Sequence, residues 1–211
     1  MGQLAESLYS LKIHSDTTST SLKVVQSQLH QFKELLRSFY FHPKKFDSSP
    51  FFSVSPFLIY NFLRLSHFYY LEKKIPEIEQ NIALMMNSIP SSKSRLLPIL
   101  FNDYRMDLEA HIAFEEINVF PLIHSLIEAK LEDALFCKST QLRTQLATFY
   151  MEHTDTEKDL ELIKKVVSEL QRHERGIAAV LFNQLNLFEA DLKLHQILEE
   201  EILIPAVLDI L

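Results

Sequence analysis

Two short segments of this chain place a histidine and a glutamate four residues apart in an otherwise apolar run. The first, HIAFEEINVFP, runs from His111 to Pro121, and the second, HQILEEEILIP, runs from His195 to Pro205. In both copies, glutamates follow the histidine at the fourth and fifth positions, and a proline follows at the tenth. Because successive helical residues are about 100° apart, the +4 glutamate shares the face of its histidine and the +5 glutamate does not.

The +4 glutamates are Glu115 and Glu199, and the helical faces that they share with the two histidines are otherwise apolar. Burying a carboxylate costs several kcal/mol unless a partner compensates for its charge. A metal ion does so, and a set of carboxylates and imidazoles without a thiolate suits iron, manganese or zinc. We therefore expect the +4 glutamates to bind metal and the +5 glutamates, Glu116 and Glu200, to face solvent or a neighbouring helix.

Two further histidines lie on apolar helical faces. His67 is in LRLSHFYYLEKKIP and His153 is in ATFYMEHTDTEKDL, where Glu157 lies about 40° from His153 on the same face. An isolated histidine of this kind is usually a hydrogen-bonded core residue. Four such histidines in four segments, together with two glutamates, favour a metal site instead. The other five histidines are expected to be surface or packing residues: His14, His30, His42, His124 and His173.

Long amphipathic helices must position these side chains. The chain has 211 residues, 47% of them hydrophobic, and only two glycines, which argues against the turns and bulges of a sheet protein. The periodicity predicts a helix over 21–40, then a linker rich in proline and serine. Four long helices are expected at about 55–88, 93–128, 140–171 and 175–210, with a kink at Pro76, a kink or break at Pro121 and a bend of the last turn at Pro205.

Four such helices with short connections predict an all-α fold. We expect an up-down-up-down four-helix bundle over residues 51–211, preceded over residues 1–50 by a polar segment and an additional N-terminal helix. This division defines two predicted domains, of which the second carries every candidate ligand.

Charge and composition narrow the class of protein. The formal net charge of −7 disfavours nucleic acid binding, because phosphate backbones need a basic face. No run of 18 apolar residues is present, so no membrane association is expected. The single cysteine, Cys137, excludes an internal disulfide, and the first residues lack the basic and apolar pattern of a secretory signal. These features predict a cytoplasmic location.

The order of the candidate ligands resembles that of hemerythrin-like proteins. A lone histidine, an HxxxE pair, a second lone histidine and a second HxxxE pair follow one another, and the pairs continue as EEINVFP and EEEILIP. Among these proteins, the chain is most similar to the repair-of-iron-centres family, also called regulators of cell morphogenesis and nitric oxide signalling, over about residues 53–210. The resemblance implies a left-twisted four-helix bundle holding two non-haem iron ions in an Fe–O–Fe type centre. The donor chemistry also admits manganese or zinc.

The resemblance also implies a role for each residue. Glu115 and Glu199 would bridge the two ions. The terminal ligands would be His67, His111, His153 and His195. The family often has a fifth histidine, and the two places where it is found hold Asn87 and Glu157 here. We expect Glu157 or water to take that coordination position.

The function that the resemblance implies is binding of, or reaction with, a small diatomic ligand, O2 or NO, in sensing or in the response to nitrosative or oxidative stress. One alternative is an iron donor that repairs damaged iron–sulfur centres, although residues 1–50 lack the cysteines of that family's N-terminal domain. Another is an interaction module whose metal ion is structural. No catalytic residue is assigned, and the protein partner and the oligomeric state stay open.

Overall fold

A computed structural model describes residues 19–42, 46–131, 157–171 and 175–208 of the chain. Within these ranges the chain is helical apart from short connections and contains no β-strand, so the predicted all-α class is confirmed. Among the described helices, none combines the length and the apolar content that crossing a membrane requires.

The α-helices of the described part are numbered in chain order. Their bounds are α1 Ser19–Phe41, α2 Pro56–Tyr69, α3 Ile75–Ser88, α4 Ser92–Phe114, α5 Phe120–Leu131, α6 Glu157–Leu170, α7 Arg175–Gln196 and α8 Ile204–Leu208. A short 3-10 helix, Ser49–Ser53, precedes α2. The predicted helices over 21–40, 55–88 and 93–128 agree with these bounds, and so does the predicted helix over 175–210 as far as Leu208, the last described residue. For the predicted helix over 140–171, the part before residue 157 lies outside the described residues.

Three π-helical segments each join one α-helix directly to the next. They are π1 Tyr70–Lys74 between α2 and α3, π2 Glu115–Val119 between α4 and α5, and π3 Ile197–Leu203 between α7 and α8. Each segment ends two residues before a proline, which is Pro76, Pro121 or Pro205. A proline has no N–H to donate, and its ring clashes with the carbonyl four residues earlier. That carbonyl lies inside the π segment in all three cases, so a wider turn relieves the clash. The helices therefore continue through these prolines, so that of the kink or break predicted at Pro121 only the break is wrong.

The contacts divide the chain into two compact units. The first comprises Met1–Ser66, Asn118–Met151 and Leu194–Leu211, and the second comprises His67–Ile117 and Glu152–Lys193. The predicted domain division at residue 50 stays a prediction.

In the first unit, α1 is attached through aromatic packing. Phe32 is fully buried and makes edge-to-face contacts with Phe51 and Phe62, at ring-centroid distances of 5.9 and 5.2 Å. Edge-to-face aromatic pairs stabilise a core beyond the area that they bury. In the same unit, α8 packs against α5.

In the second unit, α4 packs against both α3 and α6. The start of α4 has a capping box, in which Ser91 Oγ accepts from Ser94 N–H at 3.1 Å and Ser94 Oγ accepts from Ser91 N–H at 3.0 Å. In the same unit, Tyr70 of π1 and Tyr104 of α4 both contact the buried ring of Phe188 of α7 edge to face. These contacts fix α4, and with it the segment π2 that carries the first pair of glutamates.

Candidate metal centre

Glu115 lies between two imidazoles. Its Oε2 atom is 3.0 Å from Nε2 of His67, and its Oε1 atom is 2.9 Å from Nε2 of His111. Glu115 is 0% exposed and His67 is 3% exposed, whereas the side chain of His111 is 16% exposed. Three predicted ligands, His67, His111 and Glu115, are therefore in contact, and both imidazoles contact the carboxylate of Glu115.

The local helix geometry explains why Glu115 points inward. His111 lies in the last turn of α4, and Glu115 is the first residue of π2. In the second copy of the motif, Glu199 lies within π3 and is 1% exposed. Single-turn π segments occur often at functional sites, because the wider turn redirects side chains. Both +4 glutamates are thus buried, as the helical phase predicts.

Glu116 makes a contact that the sequence did not reveal. Its Oε1 atom lies 3.0 Å from Nδ1 of His67, and its side chain is 27% exposed. Because a carboxylate only accepts hydrogen bonds, Nδ1 of His67 carries a proton and donates it to Glu116. Glu116 is thus partly exposed and faces a neighbouring helix, in agreement with the prediction, and the residue it contacts there is itself a candidate ligand. A helical phase calculated on one helix contains no information about a histidine on another.

The protonation of His67 follows from these contacts. Burial lowers the pKa of His67, but the hydrogen bonds and negative charges of Glu115 and Glu116 outweigh this effect and raise the pKa above its ordinary value of 6.5. In the metal-free protein, Glu115 and Glu116 thus favour the protonated form of His67, and the Nε2 proton occupies the position where a cation would bind.

His195 is held by a serine. Its Nδ1 atom lies 2.8 Å from the hydroxyl of Ser66, and that hydroxyl lies 2.7 Å from the carbonyl oxygen of Leu63. The Nε2 atom of His195 lies 3.6 Å from Oε2 of Glu199. Ser66 is fully buried and His195 is 7% exposed, so water does not compete for these contacts.

Among the described residues, His67, Glu115 and His195 form one buried group that could hold a metal ion, since a donor atom from each lies within 4.8 Å of the other two. Two imidazoles and a carboxylate without a thiolate suit iron, manganese or zinc, and the donor set does not choose among them. The residues present therefore fit a bound metal ion.

Two predicted ligands cannot be placed. His153 lies outside the described residues. Glu157 is the first residue of α6, and its side chain lies outside the described part. Their roles stay predictions.

Three of the five histidines that were expected to be surface or packing residues are described, and all three are in such positions. His30 and His42 are exposed. His124 packs on the ring of Tyr60 at a centroid distance of 5.4 Å and lies 3.5 Å from Glu128.

No protein-family model matches this chain, and no curated protein or solved structure does.

Proposed function

We propose that this protein is a non-haem di-iron protein that binds or reacts with O2 or NO, and that it serves in sensing or in the response to nitrosative or oxidative stress. The observation that carries the proposal is the environment of Glu115, a buried carboxylate that has an imidazole nitrogen at each of its two oxygens. In this position Glu115, His67 and His111 would hold metal ions together, with further ligands supplied by other residues.

The second copy of the motif supports a centre with two ions. Glu199 is buried and has His195 one turn before it on the same helix, as Glu115 has His111. Each copy of the motif would supply one imidazole and one carboxylate to an ion, so the duplicated pair favours two ions over one. On the residue pattern, His153 and Glu157 are the remaining ligands of the proposed centre.

The chain's own residues give the centre its properties. Leu63, Leu108 and Leu198 lie three or four residues from His67, His111 and His195 along the chain and are buried, which favours a site from which bulk water is excluded. His111 is the most exposed of the described histidine ligands, and it marks the side from which a diatomic molecule would enter. Bound iron would supply an exchangeable coordination position and one-electron chemistry.

The proposal is tested on protein purified from iron-supplied cells. We expect two iron ions per chain and an ultraviolet–visible spectrum with ligand-to-metal bands that change on reduction and on addition of NO. The variant Glu199→Gln should lose metal, because it neutralises a buried carboxylate of the site. The matched control is Glu201→Gln, two residues further along π3, because Glu201 is exposed and bonds only to Ser48 among the described contacts.

Two results would reject the proposal and favour another function. A tightly held zinc ion with no redox response would indicate a structural metal in an interaction module. Rapid transfer of iron to a metal-free cluster protein, with no response to O2 or NO, would indicate an iron donor.

A further inference from the structure

The orientation of His195 depends on a residue that belongs to neither HxxxE motif. Ser66 immediately precedes His67 near the end of α2, so this helix carries one candidate ligand and, next to it, the partner of another. Ser66 is 0% exposed. A buried hydroxyl needs hydrogen-bond partners, and among the described residues Ser66 has two, the Leu63 carbonyl and the His195 ring.

The direction of these two hydrogen bonds follows from counting protons. A serine hydroxyl has one proton to donate, and the Leu63 carbonyl, at 2.7 Å, can only accept it. The serine oxygen must then accept at its other contact, so the proton between Ser66 and His195 belongs to Nδ1 of the imidazole. In the neutral ring the lone pair is therefore on Nε2, the nitrogen that lies 3.6 Å from Glu199.

We propose that Ser66 is a positioning residue of the metal centre, which holds His195 in the Nδ1–H tautomer and presents its Nε2 lone pair to the ion. The inference rests on the proposed metal-binding function and deepens it. Metal-binding histidines generally donate their second N–H to such a partner, and removing the partner costs about 10–100-fold in metal affinity.

The partner of His195 differs in charge from the partner of His67. His67 donates its Nδ1–H to the carboxylate of Glu116, whereas His195 donates to a neutral hydroxyl that is bonded in turn to a backbone carbonyl. A negative partner makes an imidazole a stronger donor than a neutral one does. With an ion bound, both rings would donate Nδ1–H and coordinate through Nε2, but they would be unequal ligands, with His67 the stronger.

The first experiment uses the metal-free protein. Long-range nitrogen–proton NMR correlations report which ring nitrogen of His195 carries the proton. We expect the Nδ1–H form in the wild type at a pH where the ring is neutral, and a mixture of tautomers in Ser66→Ala. A wild-type ring protonated on Nε2 would overturn the inference and leave the proposed function standing.

The second experiment measures binding of Co²⁺ by titration and by its visible spectrum. Ser66→Ala should bind Co²⁺ about 10–100-fold more weakly than the wild type, whereas Ser66→Thr, which keeps the hydroxyl, should recover most of the affinity. The matched control is Ser168→Ala, because Ser168 makes the same bond to the carbonyl three residues earlier, at 2.8 Å, and contacts no imidazole among its described bonds. Circular dichroism of the metal-free variants confirms that each is folded.

The outcomes separate the two proposals. Wild-type affinity in a folded Ser66→Ala variant would overturn the role of Ser66 and not the metal site. Absence of Co²⁺ and iron binding by the wild type would overturn both, even if the Nδ1–H tautomer is observed.

Discussion

Glu115 and Glu116 are consecutive in the chain, and their carboxylates contact the two different nitrogens of one imidazole, Nε2 and Nδ1 of His67, each at 3.0 Å. Both glutamates belong to π2, whose wider turn directs adjacent side chains to two sides of the same ring. Glu115 is fully buried and Glu116 is partly exposed. In the proposed centre, Glu115 is therefore a ligand, and Glu116 orients a ligand.

This relationship predicts a ranking of two isosteric variants. Glu115→Gln removes a ligand charge that two imidazoles share, so metal affinity should fall by more than about 100-fold. Glu116→Gln keeps an acceptor for Nδ1 but removes its charge, so affinity should fall by about 10-fold. Competition with a chelator of known affinity measures both. Equal losses in the two variants, or a larger loss in Glu116→Gln, would contradict the assignment.

The prolines that follow the π segments should matter for metal binding more than for folding. Pro121 follows π2 by two residues. Replacing it with alanine restores an N–H and removes the ring that would clash with the carbonyl of Ile117 in an ordinary α-helical turn. The π turn can then revert to an α turn, which changes the direction of Glu115. We expect Pro121→Ala to keep its helix content and its stability, and to bind metal about 10-fold more weakly.

The control for this variant is Pro98→Ala. Pro98 lies inside α4, and no π segment is next to it. Removing it should leave metal affinity unchanged, as measured by the same chelator competition. If Pro98→Ala and Pro121→Ala reduce affinity equally, the effect comes from general helix distortion and not from π2.

The sequence allowed the helices and the buried glutamates to be predicted because both depend on local periodicity. Apolar residues repeat at helical spacing, and a glutamate four positions after a histidine must share its face. The contacts of Glu116 and Ser66 depend instead on which helices are neighbours. A serine before a histidine carries no signal of its own, since its partner, His195, is 129 residues away.

The π segments were also not predicted. A proline inside a helical pattern indicates local distortion, and a kink or a break is the usual expectation. Here the chain continues through Pro76, Pro121 and Pro205 by widening the preceding turn. Pro98 lies within α4 without a π segment beside it, so a proline alone does not determine whether a π segment forms.

Helix α1 should contribute substantially to stability through one aromatic residue. Phe32→Ala leaves a cavity between Phe51 and Phe62, so the free energy of unfolding should fall by about 3–5 kcal/mol. Denaturant unfolding followed by circular dichroism measures the loss. The control is Phe52→Ala, because Phe52 is 54% exposed and should lose less than about 1 kcal/mol. Equal losses of unfolding free energy in Phe32→Ala and Phe52→Ala would show that α1 does not pack through Phe32 as described.

An ion pair between α6 and α7 gives the last prediction. Nζ of Lys164 lies 2.7 and 2.8 Å from the two carboxylate oxygens of Glu189 and 3.0 Å from Oε1 of Glu161, and the lysine side chain is 12% exposed. Burial lowers the pKa of Lys164, but the hydrogen bonds and charges of the two glutamates outweigh this effect and raise the pKa above 10.5. A raised lysine pKa means that the folded state binds the proton more strongly than the unfolded state does.

The pair should therefore stabilise the fold fully below pH 10.5, and this contribution should be lost as the pH rises through the higher folded-state pKa of Lys164. Lys164→Met keeps the apolar stem and removes the charge, so it should cost about 1 kcal/mol at neutral pH, a value that allows for partial solvent screening. Urea unfolding of the wild type and the variant across this pH range measures the difference. The control is Lys165→Met, since Lys165 is exposed. A difference between wild type and Lys164→Met that persists above the folded-state pKa would show that packing, and not the ion pair, is responsible.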